Sequence, residues 1–268
     1  MRFRPLLLGV AVLLSACGGG ETATPADPQS DCADASTQES IVVLAASSMV
    51  NALTETRKQF LDMHPCVSDL TFSYGSSATL ATQIVNGSPA DVFIAASEAT
   101  MKVVQESGGA SSSQVFAKNI AAIMVSNTSK FAGSIRDLSD LRDGAHSGIA
   151  VGVCVASAPC GGVADAVLKK VGLLRTAIAD TETQSAEDLV TKIELGELDA
   201  GIVFNSDCQH AATSNKASCI TIPMEANATT KYLVAALNDR TIVQEFVTYI
   251  NSSDFKDTLQ VKYGFLAP

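Results

Sequence analysis

The chain has 268 residues, of which 47% are apolar and 17% are charged, and its 28 Asp and Glu residues outnumber its 18 Lys and Arg residues. This length and apolar content suit one large or two ordinary domains, and they exclude a disordered or fibrous protein. The formal net charge of −10 argues against nucleic-acid binding, which requires an excess of basic residues on a surface.

The first residues have the organisation of a secretory signal. The basic segment MRFRP precedes the short apolar run LLLGVAVLL and the processing motif LSAC. LSAC resembles a bacterial lipobox, so we predict a signal peptide over residues 1–16 and a lipid on Cys17; an ordinary cleaved signal peptide is the alternative. Residues 17–40 are rich in Gly, Thr, Pro and Ser and are predicted to form a flexible tether. The protein would then be anchored to the cell membrane by lipid and face the extracytoplasmic side.

The use of cysteine agrees with an oxidising compartment. The chain has seven cysteines, and reserving Cys17 for the lipid leaves an even number for disulfides. Free buried thiols are the alternative, and no metal site is expected because the sequence has no C-x-x-C or H-x-x-x-H motif. Proximity in the sequence favours two pairs and leaves a third: Cys154 with Cys160, Cys208 with Cys219, and Cys32 with Cys66.

The first predicted strand covers residues 41–44, a continuous and largely β-branched run that is typical of a parallel strand buried on both faces. The run ends near Ser47 and Ser48, and the apolar residues behind these serines recur at helical spacing. A helix is therefore predicted to begin at the serines. The start of a helix presents unpaired backbone N–H groups, which is an arrangement that suits an anion.

The same pattern follows in the next strand and helix. A strand is predicted at 67–74, Gly75-Ser76-Ser77 opens a helix, and a buried strand follows at 91–96. Alternating strands and helices predict a mostly parallel sheet in an α/β fold, whose ligand crevice lies at the carboxyl ends of the strands. Both serine pairs lie at such an end.

The second half of the chain continues this alternation, and its number of strands predicts two α/β lobes rather than one compact sheet. The segment Ser185-Ala-Glu-Asp188 has the form of a capping box and is predicted to begin a helix. The other predicted elements are a strand at 119–125, a helix at 134–141 capped by Ser134, a strand at 149–153, a loop at 154–160, a helix at 163–171, strands at 201–204, 220–222 and 231–237, and helices at 241–251 and 255–263.

A set of short motifs occurs in one order along the chain: LAASSM, YGSSATLATQI, NGSPADVFIAAS, the PCG loop, AEDL, GIVF-x-SD and KYGF. Together, over residues 41–268, they resemble the periplasmic molybdate-binding proteins of molybdate ABC transporters. The resemblance implies a type II periplasmic-binding-protein fold with one lobe at 41–118 plus 228–268, a second lobe at 119–227, and a ligand cleft between them. It also implies high-affinity capture of molybdate or tungstate outside the cytoplasmic membrane and delivery to an ABC permease with its ATPase. No cofactor is implied, and a monomer is expected.

The resemblance also assigns ligand contacts by position. At position 204 the family has a tyrosine but this chain has a phenylalanine. One ligand oxygen therefore loses a hydrogen-bond donor unless Asn205 or a water replaces it. Neutral hydroxyl and N–H donors suit a doubly charged tetrahedral oxyanion, because all of its oxygens are acceptors that must exchange water for donors. The implied contacts are the hydroxyls of Ser48 and Ser77, the N–H groups of Cys160 and Leu189, and the position of Phe204.

Other interpretations of these residues remain open. A serine pair before a helix is often only an N-cap, the PCG loop could be only a stapled turn, and Leu189 and Phe204 could be only core residues. Within binding proteins, the alternative ligand is another small anion such as sulfate or phosphate. A hydrolase with a nucleophilic serine is not expected because there is no G-x-S-x-G motif and the histidines are few. A structural or adhesive lipoprotein would need no small ligand. The histidines are His64, His146 and His210.

Overall fold

The computed structural model describes residues 39–142 and 148–268. The predicted signal peptide, the lipidation site Cys17, residues 17–38 of the tether, Cys32 and His146 lie outside the described residues. Within the described ranges, no helix is long and apolar enough to cross a membrane.

Strands and helices alternate along the described chain. The strands are β1 (Glu39–Ala46), β2 (Val67–Gly75), β3 (Val92–Ala95), β4 (Gln114–Ser126), β5 (Val151–Cys154), β6 (Thr181–Thr183), β7 (Ala200–Phe204), β8 (Ala217–Thr221) and β9 (Thr229–Ala236). The α-helices are α1 (Val50–Met63), α2 (Ser77–Val85), α3 (Glu98–Glu106), α4 (Pro159–Lys170), α5 (Ala186–Glu194), α6 (Asn205–Thr213), α7 (Thr241–Ile250) and α8 (Ser253–Tyr263).

The strands follow the order β2-β1-β3-β9-β4-β7-β5-β6, with β8 also paired to β4. At one end β1 lies parallel to β2 and β3, and at the other end β5 lies parallel to β6 and β7. The ladders that involve β4 and β9 are antiparallel. The structure therefore has the predicted α/β class, with a first lobe around β1–β3 and a second lobe around β5–β7.

The long strand β4 serves both lobes. Residues 114–120 pair with β9, whereas residues 121–126 pair with β7 and β8. At the change of partner, the Asn227 side chain accepts a hydrogen bond from the N–H of Ala121 at 2.9 Å and donates to its carbonyl oxygen at 2.8 Å. Because these are the bonds that a neighbouring strand would supply, Asn227 satisfies the backbone where β4 passes between the lobes.

Helix α1 packs against β2 and shares a buried cluster with β1. Ile41 and Val43 of β1 belong to the same buried cluster as Met49, Leu53 and Phe60. The three residues from the helical segment lie at the spacing of one helix face, so their burial explains why the chain becomes helical directly after the serines. The predicted strand and helix are both confirmed here.

Several predicted boundaries differ from the structure. The helix predicted at 134–141 is only a 3-10 turn at Leu138–Leu141, which begins late because Asp137, not Ser134, caps it by accepting the N–H of Ser139 at 2.8 Å. Helix α4 begins at Pro159 rather than at 163, since proline is well suited to the first position of a helix. The PCG segment is therefore the first turn of a helix. Strand β6 and helix α6 were not predicted.

Two disulfides stabilise the second lobe. Cys154 at the end of β5 is bonded to Cys160 in the first turn of α4, with the Cα atoms 5.7 Å apart. Cys208 of α6 is bonded to Cys219 of β8, with the Cα atoms 5.4 Å apart. Both pairs are those that sequence proximity favours. Cys66 also takes part in a disulfide; its predicted partner, Cys32, lies outside the described residues.

Candidate functional site

A small cavity of about 10 Å³ lies between the two lobes, where strands end and helices begin. The first lobe supplies the segment after β1, the start of α2 and the end of β3, and the second lobe supplies the first turns of α4 and α5 and the end of β7. None of the lining residues is charged. They are Ala46, Ser47, Ser48, Gly75, Ser76, Ser77, Ala96, Pro159, Cys160, Ala186 and Phe204.

Ser48 reaches the cavity from the 3-10 turn Ser47–Met49, which connects β1 to α1. Its side chain is buried, and its Oγ lies 2.6 Å from the hydroxyl oxygen of Tyr232. The structure thus brings the predicted Ser48 to the cavity, with a tyrosine behind it.

Ser77 is the first residue of α2 and enters the cavity from the same lobe. Its Oγ accepts a hydrogen bond from the backbone N–H of Ala96 at 3.0 Å. Accepting this bond uses a lone pair of the hydroxyl and leaves its proton free. The Ser77 hydroxyl can therefore donate to a ligand in the cavity.

The first turn of α4 presents backbone donors from the second lobe. The N–H of Gly162 donates to the carbonyl oxygen of Ala158, and Pro159 has no N–H. The first N–H groups of a helix have no intrahelical acceptor, so those of Cys160 and Gly161 remain unused within the helix. The structure thus brings the predicted Cys160 to the cavity, in a helix turn whose first N–H groups are unused.

Helix α5 contributes at its first residues rather than at the predicted Leu189. Ser185 caps the helix: its Oγ accepts the N–H of Asp188 at 3.1 Å, and its carbonyl oxygen accepts the N–H of Leu189 at 3.3 Å. Leu189 is 0% exposed and is not among the lining residues. The unused N–H groups are those of Ala186 and Glu187, and Ala186 is the residue of α5 that the structure brings to the cavity.

Phe204, the last residue of β7, lines the cavity with an apolar ring and is 2% exposed. Its ring packs edge-on against the ring of Tyr232, with 6.0 Å between centroids. The side-chain amide of Asn205 donates to the carbonyl oxygen of Gly264 at 2.8 Å, and Asn205 does not line the cavity. The Asn205 amide therefore does not replace the missing tyrosine hydroxyl.

Sequence reasoning missed the polar group behind Ser48. Tyr232 of β9 is 0% exposed, and its hydroxyl oxygen also lies 3.5 Å from Nδ2 of Asn119. Asn119 donates to Oγ of Ser206 at 2.8 Å. A tyrosine or asparagine inside a buried strand needs a polar partner. The sequence therefore indicates that Tyr232 and Asn119 form hydrogen bonds. It could not show which partner, because Tyr232 and Ser48 are 184 residues apart.

Asp207 lies in the first turn of α6 and is buried. Its Oδ2 has no hydrogen-bond partner among the described residues. Burial and, secondarily, the negative charge of Glu187 raise the pKa of the Asp207 carboxyl to about 8. Burial therefore favours the neutral form of this carboxyl. By contrast, Asp91 accepts the N–H of Val42 at 2.8 Å.

Two lobes that enclose a cavity of uncharged hydrogen-bond donors define a protein that binds a small solute. The chain belongs to the family of bacterial extracellular solute-binding proteins, whose model matches residues 41–266.

Relatives and solved structures agree with this family. The molybdate-binding protein ModA of Mycobacterium tuberculosis is 30% identical over 260 residues, which cover 95% of this chain and 93% of that protein. The periplasmic molybdate-binding protein of Azotobacter vinelandii has a TM-score of 0.73 at 20% identity and matches 85% of this chain and 99% of its own. The sulfate-binding protein SubI of M. tuberculosis H37Rv also has a TM-score of 0.73, at 16% identity, over 85% of this chain and 86% of its own. At these identities the two structures show a shared fold and do not distinguish between ligands.

Proposed function

We propose that this protein captures molybdate, or tungstate, outside the cytoplasmic membrane and delivers it to an ABC importer. The observation that carries the proposal is the convergence of uncharged donors from both lobes on one small cavity. The first lobe offers the hydroxyls of Ser48 and Ser77, and the second offers the N–H groups of Cys160 and Ala186. The similarity to a molybdate-binding protein of M. tuberculosis supports molybdate as the ligand.

The donors suit a dianion although the chain is acidic. A net charge of −10 repels an anion at long range, so the binding free energy must come from local dipoles. Helices α2, α4 and α5 begin at the cavity, and the positive ends of their dipoles favour a negative ligand. Fixed donors also replace the hydration that the anion loses on burial.

Fixed donors allow the site to select among oxyanions. Molybdate and tungstate are larger than sulfate, so donors spaced for the larger ions leave sulfate with unmade bonds, which are costly in a buried site. Phosphate carries a proton near neutral pH and needs an acceptor, but no lining residue has a carboxylate. Sulfate is the stronger second candidate, because unlike phosphate it carries no proton near neutral pH and so, like molybdate, needs only donors.

A binding role explains the serines better than catalysis does. The partners of the two hydroxyls are Tyr232 and the N–H of Ala96, and neither is a general base that could activate a nucleophile. The family likewise implies binding and transport. We therefore propose no enzymatic activity and no cofactor.

The proposed lobes are 41–118 plus 228–268 and 119–227. These boundaries are supported by the change of partner along β4 and by Asn227 at the second connection. An anion that is bonded to both lobes favours the closed arrangement, which would then dock on the permease with its ATPase. A lipid on Cys17 would keep the monomeric receptor at the outer face of the membrane.

The proposal can be tested with the mature chain, produced with Cys17→Ser to omit the lipid. Thermal unfolding is followed in molybdate, tungstate, sulfate and phosphate at equal concentrations, since a ligand that binds only the folded state adds RT ln(1 + [L]/Kd) to stability. We expect strong stabilisation by molybdate and tungstate and little by the other two. Equal stabilisation by sulfate would refute the ligand assignment, and no stabilisation by any of the four would refute the transport role.

A further inference from the structure

We infer that Tyr232 is a positioning residue of the anion site, whose hydroxyl donates to Ser48 Oγ and thereby directs the Ser48 proton into the cavity. This inference rests on the proposed function and concerns the same site. Tyr232 does not line the cavity, so its action on a ligand passes through Ser48.

The geometry behind Ser48 leaves Tyr232 with two polar partners in the described structure. The Tyr232 hydroxyl oxygen is 2.6 Å from Ser48 Oγ and 3.5 Å from Asn119 Nδ2. The tyrosine is completely buried, so water does not offer a further partner at the surface. Its one proton must therefore be accepted by one of these two groups if the bond is to be made.

The orientation of Asn119 decides between them. Asn119 Oδ1 accepts the backbone N–H of Ile120 at 3.0 Å, so its NH₂ group faces the other way. This NH₂ group donates to Ser206 Oγ at 2.8 Å and points its remaining proton towards Tyr232. An amide NH₂ group donates and does not accept, so Asn119 cannot take the tyrosine proton.

The hydroxyl of Tyr232 therefore donates to Ser48 Oγ. The phenol keeps its proton because burial raises its pKa above the ordinary value. Ser48, having accepted this bond, does not donate back to the same oxygen, and its own proton is left for the cavity. Ser77 is directed in the same way by the N–H of Ala96. Both serines thus present protons, which suits a ligand whose oxygens are all acceptors.

A free serine hydroxyl rotates and can present either a lone pair or a proton to an anion. Fixing the rotation before the ligand arrives removes part of the ordering cost of binding. The same tyrosine packs against Phe204, at the position where the related proteins are expected to carry a tyrosine of their own. Ser48 lies between the Tyr232 hydroxyl and the cavity. Tyr232 therefore orients an existing donor, the Ser48 hydroxyl, and does not itself donate to the ligand.

The test is Tyr232→Phe in the mature chain, with affinity for molybdate measured by calorimetry. Phenylalanine keeps the ring contacts with Phe116 and Phe265, and thermal unfolding without ligand verifies the fold. We expect about tenfold weaker binding at unchanged stoichiometry. The matched control is Tyr249→Phe, which removes a surface bond to Gln59 and should leave affinity unchanged. Unchanged affinity in Tyr232→Phe, or a loss explained by a smaller folded fraction, would overturn the inference.

A second comparison separates positioning from a general structural role. In a Ser48→Ala background there is no hydroxyl to direct, so adding Tyr232→Phe should cause no further loss of affinity. An equal loss in both backgrounds would overturn the inference while leaving molybdate binding intact. Failure of the unmodified chain to bind molybdate would instead overturn the proposed function, and this inference with it.

Discussion

The two predicted serine donors of the cavity are each hydrogen-bonded to a group behind them. Ser77 accepts from Ala96, and Ser48 is paired with Tyr232, so protons rather than lone pairs are available to a ligand. The exception among the expected ligand contacts is Phe204, whose apolar ring lines the cavity and cannot donate a hydrogen bond. At the scale of single residues, selectivity should therefore respond to the polarity of position 204.

Phe204→Tyr should strengthen binding. The change adds a hydroxyl at the cavity wall, and a hydrogen bond to a charged acceptor contributes about 1.5–3 kcal/mol. We expect the Kd for molybdate to fall by about tenfold or more, measured by calorimetry against the unmodified chain. An unchanged or higher Kd in a variant that folds normally would show that a hydroxyl at this position does not reach the ligand.

Asp207 predicts a pH dependence of stability. Its pKa is about 8 in the folded protein against an ordinary value of 3.8, so between these values the folded chain holds a proton that the unfolded chain releases. The contribution of the Asp207 carboxyl to the free energy of unfolding is fully present below about pH 4 and is lost as pH rises through about 8. Relative to the unmodified chain, Asp207→Asn should therefore gain stability as pH rises from about 4 to about 8 and then level off.

The measurement for Asp207 is the denaturation midpoint of both proteins across that range without ligand. Asp91→Asn is an informative comparison, because this carboxylate accepts the N–H of Val42 and bonds the Arg240 guanidinium. Its loss should destabilise the protein, in contrast to Asp207→Asn at high pH. A difference between Asp207→Asn and the unmodified chain that stays constant with pH would refute the raised pKa.

At the scale of elements, regular periodicity and capping residues made much of the fold predictable. Helix α1 follows from its apolar spacing, and α5 follows from the serine cap that the structure shows at Ser185. Helix α6 could not be predicted because its sequence, NSDCQHAAT, has few apolar residues. Strand β6 has only three residues, and the pairing of β4 with both lobes depends on contacts that are distant in the chain.

The candidate site was predictable to a similar degree. The serine positions follow from local strand-to-helix transitions, and the structure brings both to the cavity. The family resemblance puts the α5 contact at Leu189, whereas the unused N–H groups of a helix lie directly after its cap. Tyr232 and Asn119 could not be assigned because their partners, Ser48 in the 3-10 turn and Ser206 in α6, are distant in the sequence.

The disulfide at the start of α4 should matter for binding. Replacing Cys154 and Cys160 together by Ala retains the backbone N–H at position 160 but releases the first turn of α4 from β5. We expect lower stability and several-fold weaker binding of molybdate, because the N–H becomes less well fixed. The control, Cys208→Ala with Cys219→Ala, should lower stability without changing affinity, since neither residue lines the cavity. Equal affinities in the two double variants would contradict the expectation.

At the scale of the whole molecule, the two lobes meet through strands that also carry the groups behind the site. Asn119 and Tyr232 lie on β4 and β9, and Ser206 lies on α6 next to β7. Through Tyr232 and Asn119, Ser48 at the ligand cavity is therefore connected to Ser206 in the second lobe. An anion held between the lobes would add hydrogen bonds to both of them at the cavity. These bonds would favour the closed form.

The central claim is that one oxyanion is held by uncharged donors from both lobes. The most direct test is a crystal structure of the mature chain grown with molybdate, with the metal located by its anomalous scattering. We predict one molybdenum peak in the cavity, with oxygens within hydrogen-bond distance of Ser48 Oγ, Ser77 Oγ, the N–H of Cys160 and an N–H at the start of α5. A peak elsewhere, or oxygens bonded to only one lobe, would contradict the account.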